Sequence, residues 1–344
     1  MNPLVSETVR LAYLGQQQSI RGATSAVFRL VRRLAMGKEP RPSPPQIRAL
    51  LDSFESLLQR DWEHAAAGTY PWSLLFQIPL STYARALPEL VKDLPSVVRR
   101  RRRDDWKDLP ADVDLAAYPP YYRRTFHWQS DGYLSRRSAE LYDVGVELLF
   151  GGTADVMRRQ VLPPMVAHAR RLGRPLRVLE VACGTGRTAS QLLRALPDAS
   201  YTGLDLSPYY VEHARGVVPE GADASFVAGN AESLPFPDGS FDAVFSVYLF
   251  HELPRNARRN VWAQMRRVLR PGGCLVIEDS LQPQDAGPMG EFLLRFPQDM
   301  HEPFYRDYLG DDLAEGLTEA GFVVDSDERA FLSKVVSARR PPQA

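Results

Sequence analysis

The stretch RVLEVACGTGRTASQLL, Arg177 to Leu193, constrains this chain more than any other. A short apolar run stops at a glycine-rich bend and is followed by helical spacing, the order strand, tight turn, helix. Arg177 to Ala182 reads as the strand, Gly184 and Gly186 as the turn, and Thr188 to Leu196 as the helix. Such a unit aims free backbone N–H groups and the positive end of a helix at one spot, which predicts a small polar ligand there. The same strand carries an acid, Glu180, at a position expected to be buried.

From Arg177 onward strands and helices alternate, which predicts an α/β fold, a doubly wound and mostly parallel sheet covered on both faces. The expected strands are 177–182, 200–205, 225–228, 241–247, 274–279, 322–325 and 332–338. Gly184, Gly186 and Ala189, with Asp205 about twenty residues further on, satisfy the dinucleotide fingerprint, so nicotinamide or flavin binding has to be weighed. Glu180 discriminates. A carboxylate beside the loop repels a pyrophosphate but suits a ligand with an ammonium and a sulfonium, as in S-adenosylmethionine.

Four blocks carry a resemblance in order along the chain: LEVACGTG (179–186), YTGLDLSPYYVEHAR (201–215), FVAGNAESLPFPDGSFDAVFSVYLFHELP (226–254) and MRRVLRPGGCLVIED (265–279). In these the chain resembles the class I S-adenosylmethionine-dependent methyltransferases, in the flavour of the ubiquinone and menaquinone C-methyltransferases and related small-molecule enzymes. The resemblance implies a seven-stranded Rossmann-like sheet whose last strand inserts antiparallel. It also implies S-adenosylmethionine as cofactor, across the carboxyl ends of the first, second and fourth strands.

For single residues, the resemblance implies that Glu180, Ala182, Cys183, Gly184 and Gly186 surround the cofactor. Asp205 would accept hydrogen bonds from both ribose hydroxyls; its plainer role is an N-cap for the helix starting at Pro208. Leu206 would offer an apolar face to adenine. Asn230 and Ala231 stand where the family usually has Asp-Ala, and an amide oxygen still accepts the adenine amino group. Ser246 and Val247 are expected near the methionine moiety. Asp242 is open between facing the cofactor and capping a neighbour. Pro271 to Gly273 reads as a structural turn.

Methyl transfer asks mainly for positioning, and for a route by which the acceptor loses its proton. His251, at the end of the fourth strand, is the expected base, ahead of Glu252 and Tyr248. The resemblance implies that the aromatic segment PPYYRRTFHWQSDGYLSRRSAELYD, Pro119 to Asp143, folds as a lid, with Tyr133 or Tyr142 at the cofactor carboxylate; its plainer role is core packing. Tyr248, His301 and Tyr305 are expected at the acceptor. No metal-ligand set is expected.

The N-terminal part reads differently. Helices are expected over 4–36 and 44–67, joined by the stiff PRPSPP segment, followed by short helices punctuated by Pro71, Pro79, Pro88 and Pro95. Helices are also expected over 138–150 and 154–172. The expected division is a helical region, 1–120, and a methyltransferase domain, 121–344, the latter comprising a lid segment, 121–172, and a sheet core, 173–344.

Net charge is zero over 344 residues, so no global pull toward nucleic acid exists, and the basic run Arg99 to Arg103 reads as a solvated helix end beside Asp104 and Asp105. Two cysteines, Cys183 and Cys274, are too few for a disulfide framework and suggest the cytoplasm. No signal-peptide core or membrane span is expected. The first helix, with Val27 and Phe28 beside Arg29, is weighed for peripheral membrane contact against packing on the sheet domain, which is favoured. The expected function is therefore methyl transfer to a small, aromatic or hydrophobic molecule. The alternatives are an RNA or protein methyltransferase and a non-catalytic cofactor-binding scaffold; oligomeric state is left open.

Overall fold

A computed structural model describes residues 3–35 and 43–342. Seven strands form one sheet in the order β3-β2-β1-β4-β5-β7-β6. They are β1 (Arg177–Val181), β2 (Ser200–Asp205), β3 (Ala224–Ala228), β4 (Phe241–Val247), β5 (Leu269–Ser280), β6 (Val323–Ala330) and β7 (Ser333–Arg339). β1 and β4 are apolar runs covered on both faces, as central parallel strands must be. β7 enters antiparallel between β5 and β6, pairing Ile277 with Val336 and Asp327 with Val336. Strand order reverses between β1 and β4, which opens a crevice at their carboxyl ends.

Thirteen α-helices are described: α1 (Pro3–Ala35), α2 (Pro44–Ala66), α3 (Leu80–Arg103), α4 (Arg136–Leu149), α5 (Ala154–Arg158), α6 (Leu162–Leu172), α7 (Arg187–Ala195), α8 (Pro208–Arg215), α9 (Arg255–Val268), α10 (Pro283–Ala286), α11 (Gly290–Met300), α12 (Tyr305–Leu309) and α13 (Leu313–Glu319). Several boundaries differ from the sequence reading for physical reasons. Pro88 and Pro95 do not break α3: both are exposed, so the carbonyls they leave unpaired face water. The expected helix over 154–172 is interrupted by a tight turn at Arg159–Val161, ahead of Pro163 and Pro164. Pro271 to Gly273 is a bulge inside β5, where pairing with β4 skips between Phe241 and Ala243. The first half of the PRPSPP segment, 40–42, lies outside the described residues.

One apolar cluster joins the N-terminal helices to the sheet: Tyr13, Phe54, Leu57 and Trp62 pack with Val178, Phe245 and Val276. The other face packs Leu179, Val181, Val244 and Ile277 against Trp262, Met265 and Leu317. The expected helical region and sheet domain therefore share a core. An ionic knot lies inside it. Asp61, fully buried, accepts from Arg159 at 2.9 and 2.7 Å, from the Tyr13 hydroxyl at 2.5 Å and from the Tyr70 hydroxyl at 2.6 Å.

The basic run ends α3, but Arg100 is buried and donates to Trp128 O at 3.0 Å and Ser130 Oγ at 2.7 Å, so it pins the lid segment rather than meeting solvent. Among the described residues no helix is long and apolar enough to cross a membrane.

Candidate functional site

A cavity of about 120 Å³ lies at the carboxyl ends of β1, β2 and β4, where the strand order reverses. Its floor is the glycine loop. Ala182, Gly184 and Gly186 have φ of 60°, 54° and 77°, a left-handed run that folds the chain back into α7. Gly186 is also required by packing, since a Cβ there would come within 2.9 Å of Ala214 Cβ. Tyr248, just beyond β4, is left-handed too, with φ 57°. Non-glycine residues held this way on two adjacent strand ends mark backbone spent on shaping the cavity.

Glu180 lines the cavity and is 1% exposed. The Tyr201 hydroxyl donates to it. Burial pushes its pKa up to about 8, with the Tyr201 and Thr188 hydroxyls pulling the other way. Arg158, on the same wall, is engaged by Asp155 at 3.1 Å and Asp143 at 3.4 Å.

Asp205 accepts from the Gly184 amide at 2.9 Å through one oxygen and from the Ser207 amide at 2.8 Å through the other. It thus ties the end of β2 to the loop after β1. The helix cap is Ser207, whose Oγ accepts from the Tyr210 amide, so the capping role does not fall to Asp205. Burial raises the Asp205 pKa to about 6, against the lowering effect of these amides. Leu206, Asn230 and Ala231 complete that wall. The Asn230 side-chain oxygen accepts from the Glu232 amide at 2.9 Å, which fixes the turn Ala231–Ser233. Cys183 also lines the cavity; it is buried, and burial drives its thiol pKa up, which suits packing and not nucleophilic chemistry.

Rings cover the cavity. Phe126 stacks on Tyr133 with centroids 5.3 Å apart, and Tyr142 and Tyr210 meet Tyr133 edge-on at 5.9 and 5.6 Å. The Tyr133 hydroxyl is committed to Glu252 Oε1 at 2.5 Å, so it is not free for a ligand carboxylate. Tyr142 and Tyr248 also line the wall, with the Tyr248 hydroxyl at 2.5 Å from Ser333 Oγ.

Other expected site residues fall elsewhere. Ser246 is fully buried and its hydroxyl has no hydrogen-bond partner; it points away from the cavity lining. Asp242 sits at the amino end of β4, bound by Arg174 at 2.7 Å, Arg270 at 2.5 Å and the Arg177 amide at 2.9 Å, and has no part in the site. His251 turns inward: its Nδ1 lies 2.6 Å from Asp279, and its ring packs on Tyr305 and Tyr308. Asp279 holds its pKa up, to about 10, against burial, which favours the imidazolium at neutral pH and argues against a role as base there. Tyr305 is buried with its hydroxyl 2.8 Å from Ser280 Oγ. His301 packs against Trp106 and Trp128, away from the cavity.

Arg158, Thr185, Arg187 and Thr188 also line the wall and were not singled out in the sequence, whereas Tyr121 and Tyr122, in the aromatic segment, and Glu252 were. Arg158 had a signal: two adjacent arginines in an otherwise apolar helix call for buried acids.

A second cavity, about 190 Å³ and almost wholly apolar, lies between α3 and α4. Leu87, Leu90 and Leu94 face Leu141, Gly145 and Leu148, with His127 and Tyr142 at its edge; Tyr142 lines both cavities.

Residues 178–273 match a family described as Methyltransferase domain. Among relatives, the chain is 44% identical over 122 residues to the phthiotriol/phenolphthiotriol dimycocerosates methyltransferase of Mycobacterium leprae, 35% of this chain and 42% of that one. It is 45% identical over 105 residues to the fatty-acid O-methyltransferase of Mycolicibacterium smegmatis, 30% of this chain and 37% of that one. An O-methyltransferase of Aspergillus nomiae is 37% identical over 154 residues, 43% of this chain and 64% of that one. The matches thus span less than half the length of these two mycobacterial relatives. Among solved structures, magnesium protoporphyrin IX methyltransferase from Synechocystis with bound S-adenosylmethionine aligns with a TM-score of 0.39 at 17% identity, covering 55% of this chain and 83% of that one. The fold is the Rossmann-like, seven-stranded arrangement expected from the sequence, with helices on both faces.

Proposed function

We propose that the chain transfers a methyl group from S-adenosylmethionine to an oxygen of a hydrophobic small molecule. The observation that carries this reading is Glu180, a buried acid beneath a glycine loop at the point where strand order reverses. Neither Glu180 nor Asp205 offers a diphosphate a cation, whereas a ligand with an ammonium group relieves the burial penalty on an ionised Glu180. The residues fit S-adenosylmethionine. Glu180 and the Thr185 amide would hold its amino acid part, Asp205 its ribose hydroxyls, and Leu206, Asn230 and Ala231 its adenine. Two cations, Arg158 and Arg187, stand on the wall, both paired with Asp155, and Arg158 would meet the cofactor's carboxylate, the role expected of Tyr133 or Tyr142.

When bound, the cofactor supplies an electrophilic methyl on sulfur. The chain's own work is positional. The ring cover of Phe126, Tyr133, Tyr142 and Tyr210 excludes water, and Tyr248 shapes the wall after β4. The apolar cavity between α3 and α4 takes the body of the acceptor and presents its reactive end past Tyr142. In this reading residues 121–172 serve as the lid, 173–344 as the cofactor domain, and 1–120 as the helical region that builds one wall of the acceptor cavity, α4 of the lid forming the other.

The names of the relatives, lipid and fatty-acid methyltransferases among them, support a hydrophobic acceptor and methylation at oxygen. Methylation of a quinone ring carbon is the competing outcome. A cytoplasmic place is supported by Cys183 and Cys274, both buried free thiols. Calorimetry with S-adenosylmethionine and with NAD, followed by transfer of labelled methyl into fractionated host lipid, tests the reading. Binding of NAD alone, or label confined to RNA or protein, overturns it.

A further inference from the structure

We propose that His127, Glu252 and Glu302 form a binding site for one divalent transition-metal cation beside the ring-covered cavity. Three separate turns bring these residues together: the lid segment, the turn Phe250–Glu252 after β4, and the chain just beyond α11. One ligand atom from each lies within 4.8 Å of the other two. His127 Nε2 is 3.4 Å from Glu252 Oε1 and 3.2 Å from Glu302 Oε1. Atoms each about 2.1 Å from a shared ion, at tetrahedral or octahedral angles, stand about 3.0–3.4 Å apart, which both imidazole–carboxylate distances match.

Two further observations point to a ligand. Glu302 is 1% exposed, and neither carboxylate oxygen has a hydrogen-bond partner. A buried acid is normally satisfied by donors or by a cation, and a second carboxylate, Glu252, sits across the same imidazole. The backbone is also held in an unfavourable conformation to make the set: His127 has φ 55° and ψ 18°, and His301, immediately before Glu302, has φ 52°. Tyr133 donates at 2.5 Å to the same Glu252 oxygen that faces His127, which fixes that carboxylate beside the imidazole.

One imidazole and two carboxylates select zinc, manganese or iron(II) over calcium. Three protein ligands leave coordination positions open. Glu252 lines the ring-covered cavity and His127 the edge of the apolar one, so an acceptor oxygen reaching between the two cavities would meet the ion. The site itself stands independently of whether the neighbouring cavity binds a methyl donor.

The test uses tag-free full-length chain, stripped with chelator and titrated with zinc, manganese and cobalt(II) chlorides by calorimetry and absorption. One ion per chain is expected, with weakening of at least about tenfold in Glu302→Gln and in His127→Gln. Cobalt loading of the wild type is expected to give ligand-field bands and paramagnetically shifted imidazole protons, a readout that needs no variant to fold. Absence of a shifted imidazole, or binding unchanged in the two variants, overturns the proposal and leaves His127 as a plain imidazolium bridge between acids. S-adenosylmethionine binding measured on the stripped chain separates this failure from failure of the methyl-transfer reading.

Discussion

Asp61 on α2 and Arg159 on the turn between α5 and α6 meet in a two-pronged pair at 2.9 and 2.7 Å, wholly out of solvent. Ninety-eight residues apart in sequence, they lock the N-terminal helices to the segment leading into β1. Asp61→Ala leaves the guanidinium and the Tyr13 hydroxyl without their acceptor, while the Tyr70 hydroxyl keeps only the backbone carbonyl of residue 61. A loss of about 3–5 kcal/mol is expected, read by urea unfolding of the two proteins. A loss below about 1 kcal/mol would show that the knot is dispensable.

Glu180 predicts a pH dependence of cofactor affinity. Its pKa near 8 means that the free chain keeps it protonated at pH 6, whereas a cationic ligand favours the ionised form. Binding therefore releases a proton, and affinity for S-adenosylmethionine should rise with pH up to about 8, by up to about tenfold per unit. Calorimetry in buffers of different ionisation enthalpy counts that proton. Glu180→Gln should abolish the release; a proton still released by that variant would assign it elsewhere.

Gly145 gives a test of the acceptor cavity. It lies inside α4 on the apolar wall, and a Cβ there meets no atom within 4 Å. Gly145→Ala should stabilise the fold by about 0.5–1 kcal/mol through helix propensity. Gly145→Phe should fill the cavity, keep cofactor affinity and raise KM for a hydrophobic acceptor. An unchanged KM would place the acceptor elsewhere.

His251 carries a stability signature of the opposite kind to a base. Asp279 raises its pKa from 6.5 to about 10, so its stabilising contribution is full below pH 6.5 and disappears as pH rises through 10. The stability gap between wild type and His251→Gln should narrow over that window in denaturant titrations. In NMR the ring should show no titration between pH 6 and 8. An imidazole that titrates near pH 7 would restore it as a candidate base.

What the sequence made legible was local. The strand, glycine turn and helix from Arg177 to Ala195, and the acid Asp205 at the end of β2, declare themselves within a few residues because backbone geometry dictates them. The insertion of β7 came from family resemblance, not from spacing. What stayed hidden depends on partners far along the chain. Nothing near His251 announces that Asp279 will draw its ring inward, nor near Asp242 that Arg174 and Arg270 will claim it. His127, Glu252 and Glu302 meet only after three turns have been placed by packing.

The stacked rings above Glu180 have a kinetic corollary. Each ring contact holds about 0.5–1.5 kcal/mol beyond its buried area, and several must part together before anything as large as a nucleoside can leave. Spent donor would then depart more slowly than it forms, and each round of turnover would wait on the opening of that cover.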